Sequence, residues 1–155
     1  MKTKLASALA VLALTVGLGL LPAMPPAYAV DNMSSTDAPD LTSVRTKIKA
    51  KDYAGALVEL RHLADDVQHA DVYNLMGYAL RKSGDFKTSL TYYTKAIEMQ
   101  PEHKAAREYL GELYVETGNM EKAKEQLAVL AKLCPGGCEE REDLQKAINA
   151  KSASN

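Results

Sequence analysis

The sequence predicts an all-α fold, specifically a right-handed α-solenoid of stacked helical hairpins. Apolar residues recur at three- and four-residue steps, which is the spacing of one face of a helix. Residues 70–101 are also echoed by the chain that follows them, at a constant interval of 34 residues. Such a period is typical of repeat arrays, in which a hairpin buries its apolar face only by stacking on its neighbours. The matched pairs are Gly77 and Gly111, Gly84 and Gly118, and Pro101 and Pro135.

Residues 1–29 differ in kind from the rest of the chain. Lys2 and Lys4 precede an apolar run, and small residues end the segment. This order is typical of a secretory signal peptide, so we expect cleavage between Ala29 and Val30. The alternative is an uncleaved membrane anchor, but the apolar run is short for a membrane span. We therefore expect an exported bacterial protein, periplasmic or secreted, with no membrane span in its mature form.

The mature chain is predicted to begin with a leader and a degenerate hairpin. Residues 30–39 have no apolar period and are expected to be disordered. The repeat domain then spans residues 40–150. Its first unit, at about 40–69, is an imperfect repeat, because Lys51 stands near the turn where the next unit has Gly84. An atypical unit is expected at the end of an array.

Two clear repeats follow, at about 70–103 and 104–137, and then a helix at about 139–150. Gly77 and Gly111 lie inside helices, where glycine costs roughly 1 kcal/mol relative to alanine. We therefore expect each of them to allow close contact between the first helix of its hairpin, helix A, and the second, helix B. The last helix has a single apolar stripe and is predicted to cap the open end of the solenoid.

These spacings resemble the tetratricopeptide repeat (TPR), in which an aromatic, a Leu-Gly pair and a Tyr on helix A precede an Ala, an aromatic and a Pro on helix B. The resemblance implies a non-catalytic scaffold that binds a protein or peptide on the concave face of its A helices. It is carried by Tyr73, Met76, Gly77, Leu80, Ser89, Tyr93, Ala96 and Pro101, and again by Leu110, Gly111, Tyr114, Ala123, Leu127 and Pro135.

A partner-binding strip is predicted one step round each A helix from its core-facing row. Tyr and Arg are frequent at binding hot spots, so Tyr78→Ala and Arg81→Ala are each expected to weaken binding with thermal stability nearly unchanged. The alternative, that the strip is ordinary solvated surface, stays open. The six predicted contact residues are Asn74, Tyr78, Arg81, Glu108, Glu112 and Val115.

Cys134 and Cys138 are the only cysteines. An even number of cysteines in an exported chain favours a disulfide. A thiol redox factor is the alternative, although the spacing is not the Cys-x-x-Cys of thioredoxin-like enzymes. A structural subunit of an envelope complex is a third interpretation, and self-association is left open.

Other functional classes receive no support from the sequence. The formal net charge of -1 argues against nucleic-acid binding. His62, His69 and His103 form no metal-ligand motif and are expected to be solvated surface residues. No catalytic constellation or phosphate-binding loop is present in the sequence. We therefore predict no enzyme activity, no metal and no cofactor.

Overall fold

The computed structural model describes residues 38–153. The predicted signal peptide, its cleavage site at Ala29 and Val30, and nearly all of the predicted leader lie outside these residues. Within the described part, the chain forms helices and no strand. The helices are α1 (Thr42–Lys49), α2 (Tyr53–Asp66), α3 (Ala70–Lys82), α4 (Phe86–Met99), α5 (Lys104–Glu116), α6 (Met120–Leu133) and α7 (Glu139–Ala153).

Consecutive helices pack as hairpins, and the hairpins stack in chain order. Helix α1 packs on α2, α3 on α4, and α5 on α6, while α2 contacts α3 and α4 contacts α5. Helix α7 packs on both α5 and α6 at the C-terminal end. This arrangement confirms the all-α solenoid. In residues 38–153, no helix has the length and apolar character needed to cross a membrane.

The turns inside the two clear repeats use the same pair of residues. Gly84 and Gly118 have φ angles of 87° and 80°, a left-handed conformation that glycine adopts without a steric cost. The next residue then caps helix B. Asp85 accepts a hydrogen bond from the Thr88 backbone N–H, and Asn119 accepts one from the Lys122 N–H. In both repeats, the glycine therefore ends helix A and the residue after it begins helix B.

The first hairpin makes the same turn without a glycine. Lys51 has a φ of 61°, and the side chain of the next residue, Asp52, caps α2 by accepting from the Gly55 N–H at 2.9 Å. The imperfect repeat therefore has the geometry of the others, with a lysine held in a conformation that disfavours side chains.

Gly77 allows the close contact with helix B that the sequence predicts. A Cβ there would lie 2.6 Å from Cδ1 of Tyr93 on α4, and the Gly77 carbonyl accepts a 2.7 Å hydrogen bond from the Ser89 hydroxyl. Gly111 corrects the expectation, because its closest neighbour is Leu144 of α7 and not a residue of α6. The capping helix, rather than helix B, fills the space left by this glycine.

The predicted core-facing rows of α3 and α5 are buried, apart from Tyr114, which is half-buried. On α7, the apolar stripe of Leu144 and Ile148 is buried with Val115. The buried members of the two rows are Tyr73, Met76, Leu80, Leu110 and Leu113.

Candidate partner-binding site

Arg81, in the last turn of α3, forms the centre of a buried polar cluster. Its side chain is almost fully buried and spans three helices. Nη2 donates to Glu112 Oε2 at 2.5 Å and Nη1 donates to Glu116 Oε1 at 2.6 Å, both on α5. Nε donates to the Tyr93 hydroxyl on α4 at 3.3 Å. These charge-assisted bonds fix α3 against α5 and offset the cost of burying the guanidinium.

Two tyrosines flank this guanidinium. The Arg81 Cζ lies 5.5 Å from the ring centroid of Tyr78 and 5.7 Å from that of Tyr109. The two rings contact each other at a centroid distance of 5.0 Å and an interplanar angle of 57°. Both the cation–π contacts and the tilted ring pair are attractive. The cluster thus holds an aromatic pair from two A helices in a fixed position.

The six predicted contact residues are not equally accessible. Tyr78 and Glu112 are half-buried and reach the surface. The expectation that the whole strip projects into an open groove is wrong for the other four, because the row next to the core of each A helix faces a neighbouring helix. Their contact with a partner stays a prediction. The exposed fractions are 4% for Asn74, 3% for Arg81, 8% for Glu108 and 7% for Val115.

Asn74 and Glu108 occupy equivalent positions in successive repeats, and both lack partners. Within residues 38–153, the buried Asn74 Oδ1 accepts no hydrogen bond. The Glu108 carboxylate forms no hydrogen bond or ion pair with any described side chain. Burial, with repulsion from Glu112 and Asp143, raises the pKa of Glu108 to about 8. A buried carboxyl without a partner is the feature of this site that sequence reasoning missed.

Two small cavities lie on either side of Tyr109. One encloses about 170 Å³ between α1, α3 and α5, and its charged residues are Arg45 and Lys49. The other encloses about 180 Å³ between α5 and α7 and is acidic. The cleft along the A helices therefore changes from basic to acidic along its length. The acidic cavity is lined by Ala105, Glu108, Tyr109, Glu139, Glu140 and Asp143.

A larger cavity of about 720 Å³ lies beside α7, away from the predicted contact residues. Its wall includes Pro135 and Gly137 of the loop that joins α6 to α7. In the same loop, the Sγ atoms of Cys134 and Cys138 lie 2.07 Å apart, which is a bonding distance. In the described part of the chain, no group of His, Cys, Asp and Glu is arranged to hold a metal ion.

The histidines correct a second expectation. His69 and His103 are equivalent positions 34 residues apart, and each caps an A helix through Nδ1, which accepts a backbone N–H. His103 is buried, not solvated, and its Nε2 donates to Asp71 Oδ1 at 2.9 Å. This hydrogen bond lowers the pKa of Asp71. The 34-residue spacing of the two histidines is the signal that could have identified them as caps.

Comparison with known proteins agrees with this geometry. A family model described as tetratricopeptide repeat matches residues 74–137. No curated protein matches the chain. Among solved structures, the chain is similar to "PcrH in complex with the chaperone binding region of PopB", with a TM-score of 0.59, 15% identity, and coverage of 70% of this chain and 88% of that one. Identity this low shows a shared fold alone. Residues 74–137 therefore match the tetratricopeptide repeat in both sequence and architecture.

Proposed function

We propose that this protein is a non-catalytic scaffold that binds a protein or peptide partner in the cleft along α1, α3, α5 and α7. The observation that carries the proposal is the Tyr78–Tyr109 pair, which is held by Arg81 between a basic and an acidic cavity. An aromatic anchor with opposite charges on its two sides suits a peptide that lies in one direction along the cleft.

The role of Arg81 in this proposal differs from the one that its residue type suggests. Its guanidinium is already bonded to Glu112, Glu116 and Tyr93. It therefore holds the aromatic pair in position from the buried side, while the half-buried Tyr78 presents its exposed surface to the partner. Fixing the tyrosines in advance reduces the entropy lost when a partner binds.

Fold likeness adds support of a general kind. The similar solved structure is titled as a complex of PcrH with the chaperone binding region of PopB, so that protein holds a segment of another protein on the same fold. The family of residues 74–137 is built from hairpins that stack into extended surfaces suited to binding. The partner of this chain is identified only by the chemistry of its own cleft.

The experiment that tests the proposal is affinity capture from an envelope extract, with mass spectrometry of the retained proteins. Binding of each captured protein is then measured with Tyr78→Ala. The matched control is Tyr92→Ala, which removes a half-buried tyrosine of α4 that stacks on Tyr73. We expect Tyr78→Ala to weaken binding at least ~10-fold, a typical hot-spot effect, and the control to leave it unchanged. Equal binding by both variants would place the partner outside the cleft.

We propose the periplasm or the exterior as the location, on the basis of the signal-like residues 1–29 and the cysteine pair. N-terminal sequencing of exported protein should begin at Val30, and an intact Met1 would contradict this. Thiol titration of the unreduced protein should find no free thiol at Cys134 or Cys138. Two free thiols would exclude the disulfide and also remove the resting state of the alternative redox function.

A further inference from the structure

The acidic cavity between α5 and α7 is lined by four carboxyl groups. None of its six lining residues is basic, and three of them, Glu139, Glu140 and Asp143, lie in the first turns of α7. The positive end of the α7 dipole offsets part of this charge. The guanidinium of Arg81 is already engaged by Glu112 and Glu116. This end of the cleft is therefore chemically suited to a cation.

Glu108 is a second, independent feature of the cavity that suits a cation. It is 8% exposed and lines the cavity, yet its carboxylate has no hydrogen bond or ion pair with the described residues. Buried carboxylates are normally paired, because an unpaired one carries the full cost of leaving water. At the equivalent place in the preceding repeat stands Asn74, which has no charge to neutralise.

We propose that the acidic cavity receives one lysine or arginine side chain of the bound peptide, with Glu108 as its buried counter-ion. The inference rests on the proposed peptide-binding function and specifies the partner's chemistry at one position. Tyr109, which lines the same cavity, offers a ring on which the aliphatic stem of that side chain packs. The peptide then runs from the basic cavity, across the aromatic pair, to the acidic one.

The size of the cavity favours a single side chain. Its volume of about 180 Å³ is below the roughly 300 Å³ at which small-molecule sites begin. A metal ion is disfavoured, because no described cluster of acidic residues has the arrangement of a metal site. A side chain that enters from the cleft needs no enclosed chamber, only a counter-ion at the end of its reach.

The protonation of Glu108 links this binding to pH. Its pKa is raised to about 8 by burial, then by Glu112 of the same helix and by Asp143 and Glu140 of α7, while Arg81 of α3 acts in the opposite direction. The free carboxyl is thus mostly neutral near pH 7. A bound cation favours the ionised form, so a proton leaves on binding, and affinity should rise with pH up to about pH 8 and level off above it.

Selection from a random dodecapeptide library displayed on phage tests the proposal. The wild-type protein should select peptides with Lys or Arg at one fixed position relative to an apolar residue. Glu108→Gln should keep the apolar preference and lose the basic one. The control Glu121→Gln, at an exposed glutamate of α6 whose side chain is 85% accessible, should select as the wild type does. If Glu108→Gln does not fold, Asp143→Asn serves as the second variant, because that residue is exposed on α7.

The possible outcomes separate the two proposals. Selection of peptides without a basic preference overturns the inference and leaves the scaffold function standing. A basic preference that survives Glu108→Gln and Asp143→Asn also overturns it. Failure to select any peptide overturns the inference and excludes a short peptide as the partner of the scaffold. Substituting Gln for the Arg of a selected peptide should weaken binding at least ~10-fold to the wild type and less than ~3-fold to Glu108→Gln, as expected for a direct pair. The rise in affinity with pH should also be absent from Glu108→Gln.

Discussion

Helices α3 and α5 occupy equivalent places in successive repeats, but they use the same positions for different chemistry. Tyr78 and Arg81 of α3 correspond to Glu112 and Val115 of α5. Arg81 reaches forward to the acids of the next repeat, whereas Val115 is buried against the apolar stripe of α7. The repeat period therefore preserves the backbone. The contact surface between each A helix and the helix packed against it, here called a seam, is ionic where α3 meets α5 and apolar where α5 meets α7.

The largest expected effect on stability comes from breaking the ionic seam between α3 and α5. Arg81→Ala removes the only cation bonded to Glu112 and Glu116 within residues 38–153 and leaves the buried Tyr93 hydroxyl without its donor. We expect the free energy of unfolding to fall by about 3 kcal/mol, since one partner of a buried pair is lost. This corrects the expectation that Arg81→Ala would leave thermal stability nearly unchanged. Urea denaturation measures the loss.

The matched change on α5 is Val115→Ala. It removes about two buried methylene equivalents, worth about 1.5 kcal/mol at roughly 0.8 kcal/mol each. The comparison holds if Arg81→Ala costs clearly more than Val115→Ala. Equal losses would mean that the ionic seam contributes no more stability than the apolar one.

The repeated glycines provide a second comparison of the two helices. A Cβ at Gly77 would collide with Tyr93, which is fully buried and bonded to Arg81. A Cβ at Gly111 would collide with the end of the flexible Leu144 side chain, which is also buried but belongs to α7, a helix whose other face is exposed. The added methyl group overpacks the core, which lowers the free energy of unfolding by about 1–3 kcal/mol. Because alanine has a higher helix propensity than glycine, about 1 kcal/mol is regained. We expect Gly77→Ala to lower stability by about 1–2 kcal/mol and Gly111→Ala by less than 1. A larger loss of stability from Gly111→Ala than from Gly77→Ala would contradict this order.

Asn74 and Glu108 lie at equivalent positions, but only Glu108 is expected to make the stability of the protein depend on pH. The folded pKa of Glu108, about 8, exceeds its ordinary value of 4.5, so the folded state retains a proton that the unfolded state releases between these pH values. Its contribution to stability is complete below about pH 4.5 and is lost as pH rises through 8. We expect the free energy of unfolding of the wild type, relative to that of Glu108→Gln, to decrease as pH rises. The decrease should be on the order of 1 kcal/mol after allowance for solvent screening.

Urea midpoints between pH 5 and pH 9 measure that decline. The matched control is Asn74→Ala, which alters the equivalent position without adding or removing a titratable group. Its difference from the wild type should stay constant with pH. A constant difference for Glu108→Gln as well would show that Glu108 is ionised throughout.

The smallest effect is expected at the three turns. Lys51 holds a left-handed φ that Gly84 and Gly118 adopt without a side chain. We expect Lys51→Gly to raise the melting temperature, with a gain of about 0.5–1 kcal/mol, because the steric cost of a side chain exceeds the extra entropy of glycine. Gly84→Ala should lose a similar amount, and nothing lies within 4 Å of the added Cβ to obscure the backbone effect. A loss of stability in Lys51→Gly would contradict the shared-turn interpretation.

Much of the fold could be predicted because it depends on local and periodic signals. The breaks at Gly84 and Gly118, the caps at Asp85 and Asn119, and the apolar rows of α3 and α5 all follow from spacing along one helix or hairpin. The first hairpin was recognisable despite Lys51, since the residues around the turn keep the same order.

The sequence by itself determined the helices, their order and their core-facing rows, because a 34-residue period and a helical step report on each element alone. Only the tertiary structure decided that Arg81 and Glu108 are buried, that His103 bonds to Asp71, and that Leu144 lies against Gly111. These contacts join residues about one repeat apart. Whether the row next to the core is exposed depends on how closely the following helix approaches, and no pattern within a single helix contains that distance.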